Sequence, residues 1–382
     1  MAPHTPRGKG MNQNAGDRIE SAGKRLFLGF LRLFIRETAP APQPGGISFR
    51  NILLIRQHDQ LGDMLCIVPL LRALRQRYPD ARISLVAGRV NRDIMLHHPY
   101  LDEVLLFPRG RYAAMAAFFR RLRRAEYDLV IVPSTVSVSV TSGLIAVLAG
   151  AAVRIGPGSI DGIPASTKVC FSHPIDLDWR TDPHRHQVLR NLDIGKPLAL
   201  PTAELSTCIG LTAEEGEDAD FRLRELRSRH PILIGIHPGA GKGENRWPGE
   251  NFAEVVNRCA RQFNAGIVIT SGPQDVDVRD RLLPLLRCGY LLLDRQPLRS
   301  VAAVIDRTDL FISNDTGIMH IAGAVRTRLL ALFGPTDALQ WMPPGERHRC
   351  LCGAGGDVGA IRVDDVCRHA EEMLEGKNRR HN

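Results

Sequence analysis

The amino-acid sequence predicts an α/β protein: two doubly wound, parallel-sheet domains facing a cleft, behind an N-terminal amphipathic arm. Three observations predict this. Apolar runs of strand length alternate with helical segments, the pattern of a parallel sheet covered on both faces. The same alternation starts again after Pro197–Leu211, with ILIGIHPGAG as a strand running into a Gly-rich loop. The chain's 382 residues leave room for two large buried cores. The expected division is 1–46 for the arm, 47–205 for the first domain and 206–376 for the second.

The arm comes first. Residues 1–17 are Gly, Asn, Pro and charge, a composition expected to be disordered. From Arg18 to Thr38 the pattern becomes helical, with Arg25, Gly29, Arg32 and Arg36 on one face and Leu26, Phe27, Phe30, Leu31, Phe34 and Ile35 elsewhere. Arg32 interrupts the apolar run, which is far below the roughly 20 residues of a membrane span. No small-residue cleavage site follows at a sensible distance, so a signal peptide is not expected. Either a basic helix lying on an anionic membrane surface or a helix packed against protein fits the pattern. Pro40, Pro42, Pro44, Gly45 and Gly46 end the arm.

Asn51–Arg56 (NILLIR) opens the first domain as a buried strand, followed by the loop QHDQLG and a helix carrying Asp63, Leu65, Leu71 and Leu74. Pro69 either kinks that helix or marks its true start. Strand-like runs recur at Ile83–Ala87, Val104–Phe107 and Leu129–Val132. Leu129 to Val153 has no charge over 25 residues. Pro133, a Ser/Thr-rich turn and Gly143 make it a buried strand and helix rather than a membrane span.

In the second domain NFAEVVNRCARQF reads as a helix and GIVITSG as a strand. The segment from Leu310 to Asp337 is the most informative: strand, polar turn (Asn314 to Gly317), small-residue helix, strand and Gly-Pro turn. That order puts Asp315, Thr316 and Gly317 between a strand's carboxyl end and a helix's amino end, a natural diphosphate site. Asp315 serving only as a cap is the alternative. The last helix, Val363 to Leu374, needs a surface for Val366 and Met373 and is expected to cross back to the first domain.

At 44% hydrophobic and 24% charged, the composition is that of an ordinary globular protein. The eight cysteines show no zinc spacing and read as free thiols in a reducing cytosol. No His, Cys, Asp or Glu cluster has metal spacing. Residues 1–50 hold +5 of the net +9, so the excess reads as the arm's, and no nucleic-acid partner is expected.

The first domain resembles the bacterial ADP-heptose–lipopolysaccharide heptosyltransferases, glycosyltransferase family nine, in ILLIRQHDQLGDMLCIVPLLRALRQRYPDARISLV. The second resembles them in GIHPGAGKGENRWPGENFAEV and in ISNDTGIMHIAGAV…LALFGPTD. The likeness covers roughly residues 50 to 375. It implies the GT-B fold, two Rossmann-like domains, and inverting transfer of a sugar from a nucleotide-diphosphate donor to a hydroxyl of a lipid-linked saccharide. ADP-heptose is the implied donor and a lipopolysaccharide core the implied acceptor. No cofactor is obligatory, although magnesium can enter with the donor.

The resemblance also implies roles. Asp63 matches the family's candidate base, which takes the acceptor proton; a helix cap is its alternative, and Asp59 is a reserve. Thr316 and Gly317 would meet phosphate through backbone N–H groups, while Asp315 binds a sugar hydroxyl or holds the turn. His320 would donate to phosphate or sugar, or pack. Arg246 supplies a forked cation for phosphate. Many relatives carry lysine where this chain has Asn245, with Lys242 a replacement; Trp247 packs or touches the nucleotide. Gly272 and Asp275, or Asp277, stand where ribose hydroxyls are taken. The turn PSTVSVS departs from the more polar acceptor turn of heptosyltransferases.

A nicotinamide or flavin enzyme would need GxGxxG after the first strand, and QHDQLGD lacks it. A non-catalytic sugar-nucleotide or lipid-binding descendant is the other alternative; Asp63 and Asp315 argue against it and Asn245 for it. The expected location is cytoplasmic, peripheral on the inner face of the membrane.

Overall fold

The computed structural model describes residues 46–58, 60–201 and 204–378, with side chains to 375. The arm helix and Asp59 lie outside the described residues.

The first sheet comprises β1 (Asn51–Arg56), β2 (Arg82–Ala87), β3 (Glu103–Leu106), β4 (Leu129–Ile131), β5 (Val153–Ile160), β6 (Ile163–Pro164) and β7 (His173–Leu177). Its order is β3-β2-β1-β4-β5, with β6 and β7 both paired to β5. All its pairs are parallel except the short β5–β6 hairpin. The second sheet comprises β8 (Ile232–His237), β9 (Ala265–Ser271), β10 (Tyr290–Asp294), β11 (Leu310–Asn314), β12 (Arg328–Phe333) and β13 (His348–Cys352). Its order is β10-β9-β8-β11-β12-β13, wholly parallel. Strand direction of growth therefore reverses between β1 and β4 and again between β8 and β11. Crevices at such switch points are where open α/β sheets bind ligands.

Both central strands are buried along nearly all of their length because helices cover both faces: Ile52 to Ile55 and Leu310 to Ile312 are inaccessible. The segment after β1 forms two helices, Leu61–Leu65 and Val68–Arg77, and Pro69 stands in the first turn of the second. It marks a start, where its missing N–H is harmless. The charge-free stretch forms β4 and the helix Val140–Ala149. No helix among the described residues is long and apolar enough to cross a membrane.

The last helix, Val363–Asn378, corrects the sequence expectation. Val366, Ala370, Met373 and Leu374 are buried with Trp247, Phe252 and Val256, in the core of the second half. The helix Gly249–Phe263 supplies the complementary apolar stripe, so no other surface is required.

One apolar cluster joins the halves, running from Leu54, Met64 and Leu71 to Ile305, Phe311 and Met319. Polar ties reinforce it. Arg299 donates to the carbonyls of Leu96 (2.8 Å) and Gly210 (2.6 Å) while gripping both oxygens of Glu215. His186 Nε2 lies 2.7 Å from Met342 O across the two halves.

Candidate active site

At the switch point of the first sheet, β1 ends in Arg56 and the helix Leu61–Leu65 carries Asp63. Gln60 occupies the cap position of that helix, so Asp63 is not the cap. Its Oδ1 instead lies 3.0 Å from Arg56 Nη2, both side chains being about nine-tenths buried. Arg56 Nη1 donates to Pro133 O beyond β4, tying the two strand ends together. A cavity of about 240 Å³ opens here, lined by Arg56, Gln60, Asp63, Ser134, Val136 and Ser137. Burial, aided by the nearby Asp63 charge, pushes the Cys66 thiol up to about 12.

At the switch point of the second sheet, Asn314 ends β11. Its amide donates to Pro238 O (2.9 Å) and Gly239 O (3.1 Å), and its oxygen accepts the Trp247 N–H (3.1 Å). One side chain thus ties both ends of the loop beyond β8. Asp315 follows, and its Oδ2 accepts from Asn245 Nδ2 at 2.9 Å; the same amide lies 3.2 Å from Thr336 Oγ1. Burial raises the Asp315 carboxyl above its ordinary range, opposed by the Thr336 hydrogen bond and the positive charge of Lys242. Lys242 itself is exposed. Thr316 has extended backbone at the cap position, and Gly317 begins the helix Gly317–Gly323.

Thr316, Gly317 and Ile318 line one side of a pocket of about 490 Å³. Gly272, Asp275, His237, Arg295 and Gln296 line other parts, and Leu61 and Val90 of the first half close it. Asp275 is held from within: its Oδ2 accepts the Gly272 N–H at 2.7 Å and lies 3.7 Å from His237 Nε2. A Cβ at Gly239 would fall 2.1 Å from Asp275 Oδ1, so bare backbone is needed beside this carboxylate. Burial lowers the His237 pKa, with Asp275 opposing the shift.

Three sequence-predicted residues are engaged elsewhere. Arg246 pairs with Asp277 at 2.9 Å and donates to Ala240 O at 3.0 Å, bracing the Gly-rich loop. Trp247 is fully buried and donates to Ile361 O at 3.0 Å, which makes it a packing residue. His320 is 5% exposed with its ring against Gly62, and burial holds its imidazole down to about 4, hence neutral. Thr316, Gly317, Gly272 and Asp275 therefore share one pocket, Asp315 stands next to it in the turn without lining it, and Asp63 lies in the adjoining cavity. Sequence reading missed Arg56, His237, Arg295 and Gln296. Of these, Arg56 had a signal, a lone cation ending an apolar strand.

Among the described residues no group of three or more His, Cys, Asp or Glu could hold a metal ion.

Two doubly wound sheets, each with a ligand crevice at its switch point, make up the GT-B architecture. The sequence profile of glycosyltransferase family 9 (heptosyltransferase) matches residues 115–362, and the chain belongs to that family. It is 28% identical over 321 residues to lipopolysaccharide heptosyltransferase 2 of Salmonella typhimurium, covering 76% of this chain and 85% of that protein. It is 25% identical over 293 residues to lipopolysaccharide heptosyltransferase 3 of Escherichia coli, covering 74% and 83%. A glycosyl transferase family 9 structure from Veillonella parvula superposes with a TM-score of 0.77 at 21% identity, over 88% of this chain and all of that one. Heptosyltransferase WaaC of E. coli, solved with ADP, gives 0.68 at 18% identity, over 85% and 99%. These last two likenesses establish the shared fold.

Proposed function

We propose that this enzyme transfers heptose from ADP-heptose to a hydroxyl of a lipopolysaccharide core, with inversion at the anomeric carbon. The observation that carries the reading is the five-residue helix Leu61–Leu65. Its Leu61 lines the larger pocket and its Asp63 the adjoining cavity. A donor in the pocket and an acceptor in the cavity would meet across one turn of helix. The relatives named as lipopolysaccharide heptosyltransferases and the ADP-bound structure support this choice of sugar, base and acceptor.

Residues 47–205 then serve the acceptor and 206–376 the donor. The acceptor hydroxyl attacks the anomeric carbon from the face opposite the diphosphate and gives its proton to Asp63. As the sugar–oxygen bond breaks, charge grows on the departing diphosphate. The backbone N–H groups of Thr316 and Gly317 stabilise it, with Lys242 nearby and Arg246 bracing the loop. Asp315, oriented by Asn245, holds a sugar hydroxyl. Gly272 and Asp275 shape the floor beneath the nucleoside. A lipid-linked acceptor places the enzyme on the cytoplasmic face of the membrane, with the basic arm, residues 1–46, on the anionic surface.

The test is nucleoside diphosphate release from ADP-, GDP- and UDP-sugars with a heptose-deficient core acceptor. Wild type should turn over ADP-heptose selectively, and Asp63→Ala should lose about 10²–10⁴-fold in kcat. Full activity in Asp63→Ala would remove the assigned base, and binding without turnover in wild type would make the protein a sugar-nucleotide binder.

A further inference from the structure

The positive charge of the chain has two seats. Residues 1–50 hold +5, and the segment from Val104 to Ile160 holds seven arginines against Glu126 and Asp128, another +5. Against a total of +9, all other residues together sum to −1. The excess that reads from sequence as the arm's is therefore shared with the folded body.

The two helices of that segment build one outer face of the first half. The helix Tyr112–Arg124 turns Phe118 and Leu122 into the core, with Met115 and Phe119 half-covered. The same spacing leaves Ala113, Ala116, Ala117, Arg120 and Arg124 exposed. The uncharged helix Val140–Ala149 packs beside it and leaves Leu144, Val147 and Leu148 half-exposed. Tyr112 is 93% exposed and Val136 54%. Glu103 is paired with Arg82 and Arg121, and Asp128 accepts the N–H groups of Arg50 and Asn51. Among the described residues no carboxylate pairs with Arg111, Arg120 or Arg124.

The face is also aligned with the site. Arg109 donates to Gln57 Oε1 at 3.1 Å, and Gln57 Nε2 donates to Ser139 Oγ, the cap of Val140–Ala149, at 3.2 Å. Both helices thus start at the strand ends that carry Asp63, and Val136 lines the cavity beside it.

We propose that this two-helix face docks on an anionic phospholipid bilayer. Unpaired arginines on a helix, Tyr112–Arg124, that carries no carboxylate of its own are complementary to headgroup phosphates. Tyr112, amphipathic and exposed, belongs at the water–hydrocarbon boundary. The helix gives a footprint about 20 Å long, with the Asp63 cavity opening at one end of it. Docking does not depend on which sugar is moved, and it is distinct from binding through the arm.

The test uses the full chain with phosphatidylglycerol–phosphatidylcholine vesicles, against phosphatidylcholine alone. The double substitution Arg120→Glu/Arg124→Glu should lower co-sedimentation with the anionic vesicles about tenfold or more. Arg120→Gln/Arg124→Gln should give a smaller loss, and both should keep the wild-type melting temperature. A Tyr112→Trp reporter, read above the background of Trp179, Trp247 and Trp341, should shift to the blue and be quenched by brominated lipid. Three results would overturn the proposal. These are failure of wild type to bind anionic vesicles; binding with the reporter still in water and no effect of the arginine substitutions, which assigns binding elsewhere; and loss, in these substitutions, of a dimer seen by light scattering, with no vesicle binding.

Discussion

A Cβ on Gly62 would lie 2.7 Å from both Cδ2 and Nε2 of His320. The helix that carries Asp63 and the helix that follows the Asp315 turn therefore touch through bare backbone and a neutral ring. Leu61 makes the reciprocal contact, 3.0 Å from the position of a Cβ on Gly317. Each helix has its glycine where the other half presses closest, which sets how near the two crevices lie.

Gly62→Ala should accordingly push the halves apart. Overpacking of this kind costs about 1–3 kcal/mol, and the measurable consequences are a lower denaturation midpoint and a rise in KM for both substrates. His320→Ala in the same chain should recover part of the loss, because it removes the clashing ring. A double-mutant cycle reads the coupling, and strict additivity would show that the contact does not set the spacing.

Arg56 joins β1 to the loop after β4 and balances the Asp63 charge. Arg56→Met leaves a nearly buried carboxylate without its cation, a change that costs about 3–5 kcal/mol when the pair is fully enclosed. The open cavity lets water reach Asp63, so the loss should fall at the low end of that range. Arg56→Lys should restore stability more fully than activity, since one ammonium cannot both meet Asp63 and reach Pro133 O. Urea denaturation beside steady-state kinetics separates the two effects.

The Asn245 amide donates to Asp315 Oδ2 at 2.9 Å. Asn245→Ala removes a hydrogen bond to a charged group, worth about 1.5–3 kcal/mol. If Asp315 holds the donor sugar, donor KM should rise about tenfold or more while acceptor KM stays put. Isothermal titration with ADP alone should change far less than titration with the sugar nucleotide.

Burial holds both His320 and His98 down to about 4 from an ordinary 6.5. In the unfolded chain each takes up a proton near pH 6.5, while the folded protein resists until about pH 4. The folded-state pKa is depressed, so the stabilisation is complete above pH 6.5 and is lost as pH falls toward 4. The loss is on the order of 3 kcal/mol per histidine. Urea midpoints between pH 7 and pH 4 should fall accordingly, and His320→Gln should flatten the slope by roughly the share of one proton.

Local grammar was legible where burial leaves a regular trace. Asn51–Arg56 and Leu310–Asn314 stand out because strands covered on both faces are apolar throughout. The polar turn at Asp315–Gly317 stands out because it interrupts such a run before a small-residue helix. The family likeness rests on the same segments. Val366 and Met373 showed that the last helix has an apolar face, but the choice of partner depended on Trp247 and Phe252, whose own burial depends on Asn314 and Ile361.

By itself the sequence determined two doubly wound sheets, the order of their elements, and a carboxylate helix and a polar turn each at a strand end. These follow from interactions within a few residues: periodic burial, backbone hydrogen bonding and turn chemistry. Only the tertiary structure decided that Asp63 answers to Arg56, that Asn245 answers to Asp315, that His320 packs on Gly62, and that Arg120 and Arg124 stand exposed on one outer helix. Apart from Arg56 with Asp63, such pairings join residues far apart in the chain. They are set by how sheets and helices stack, and the spacing of residues along the sequence carries no record of it.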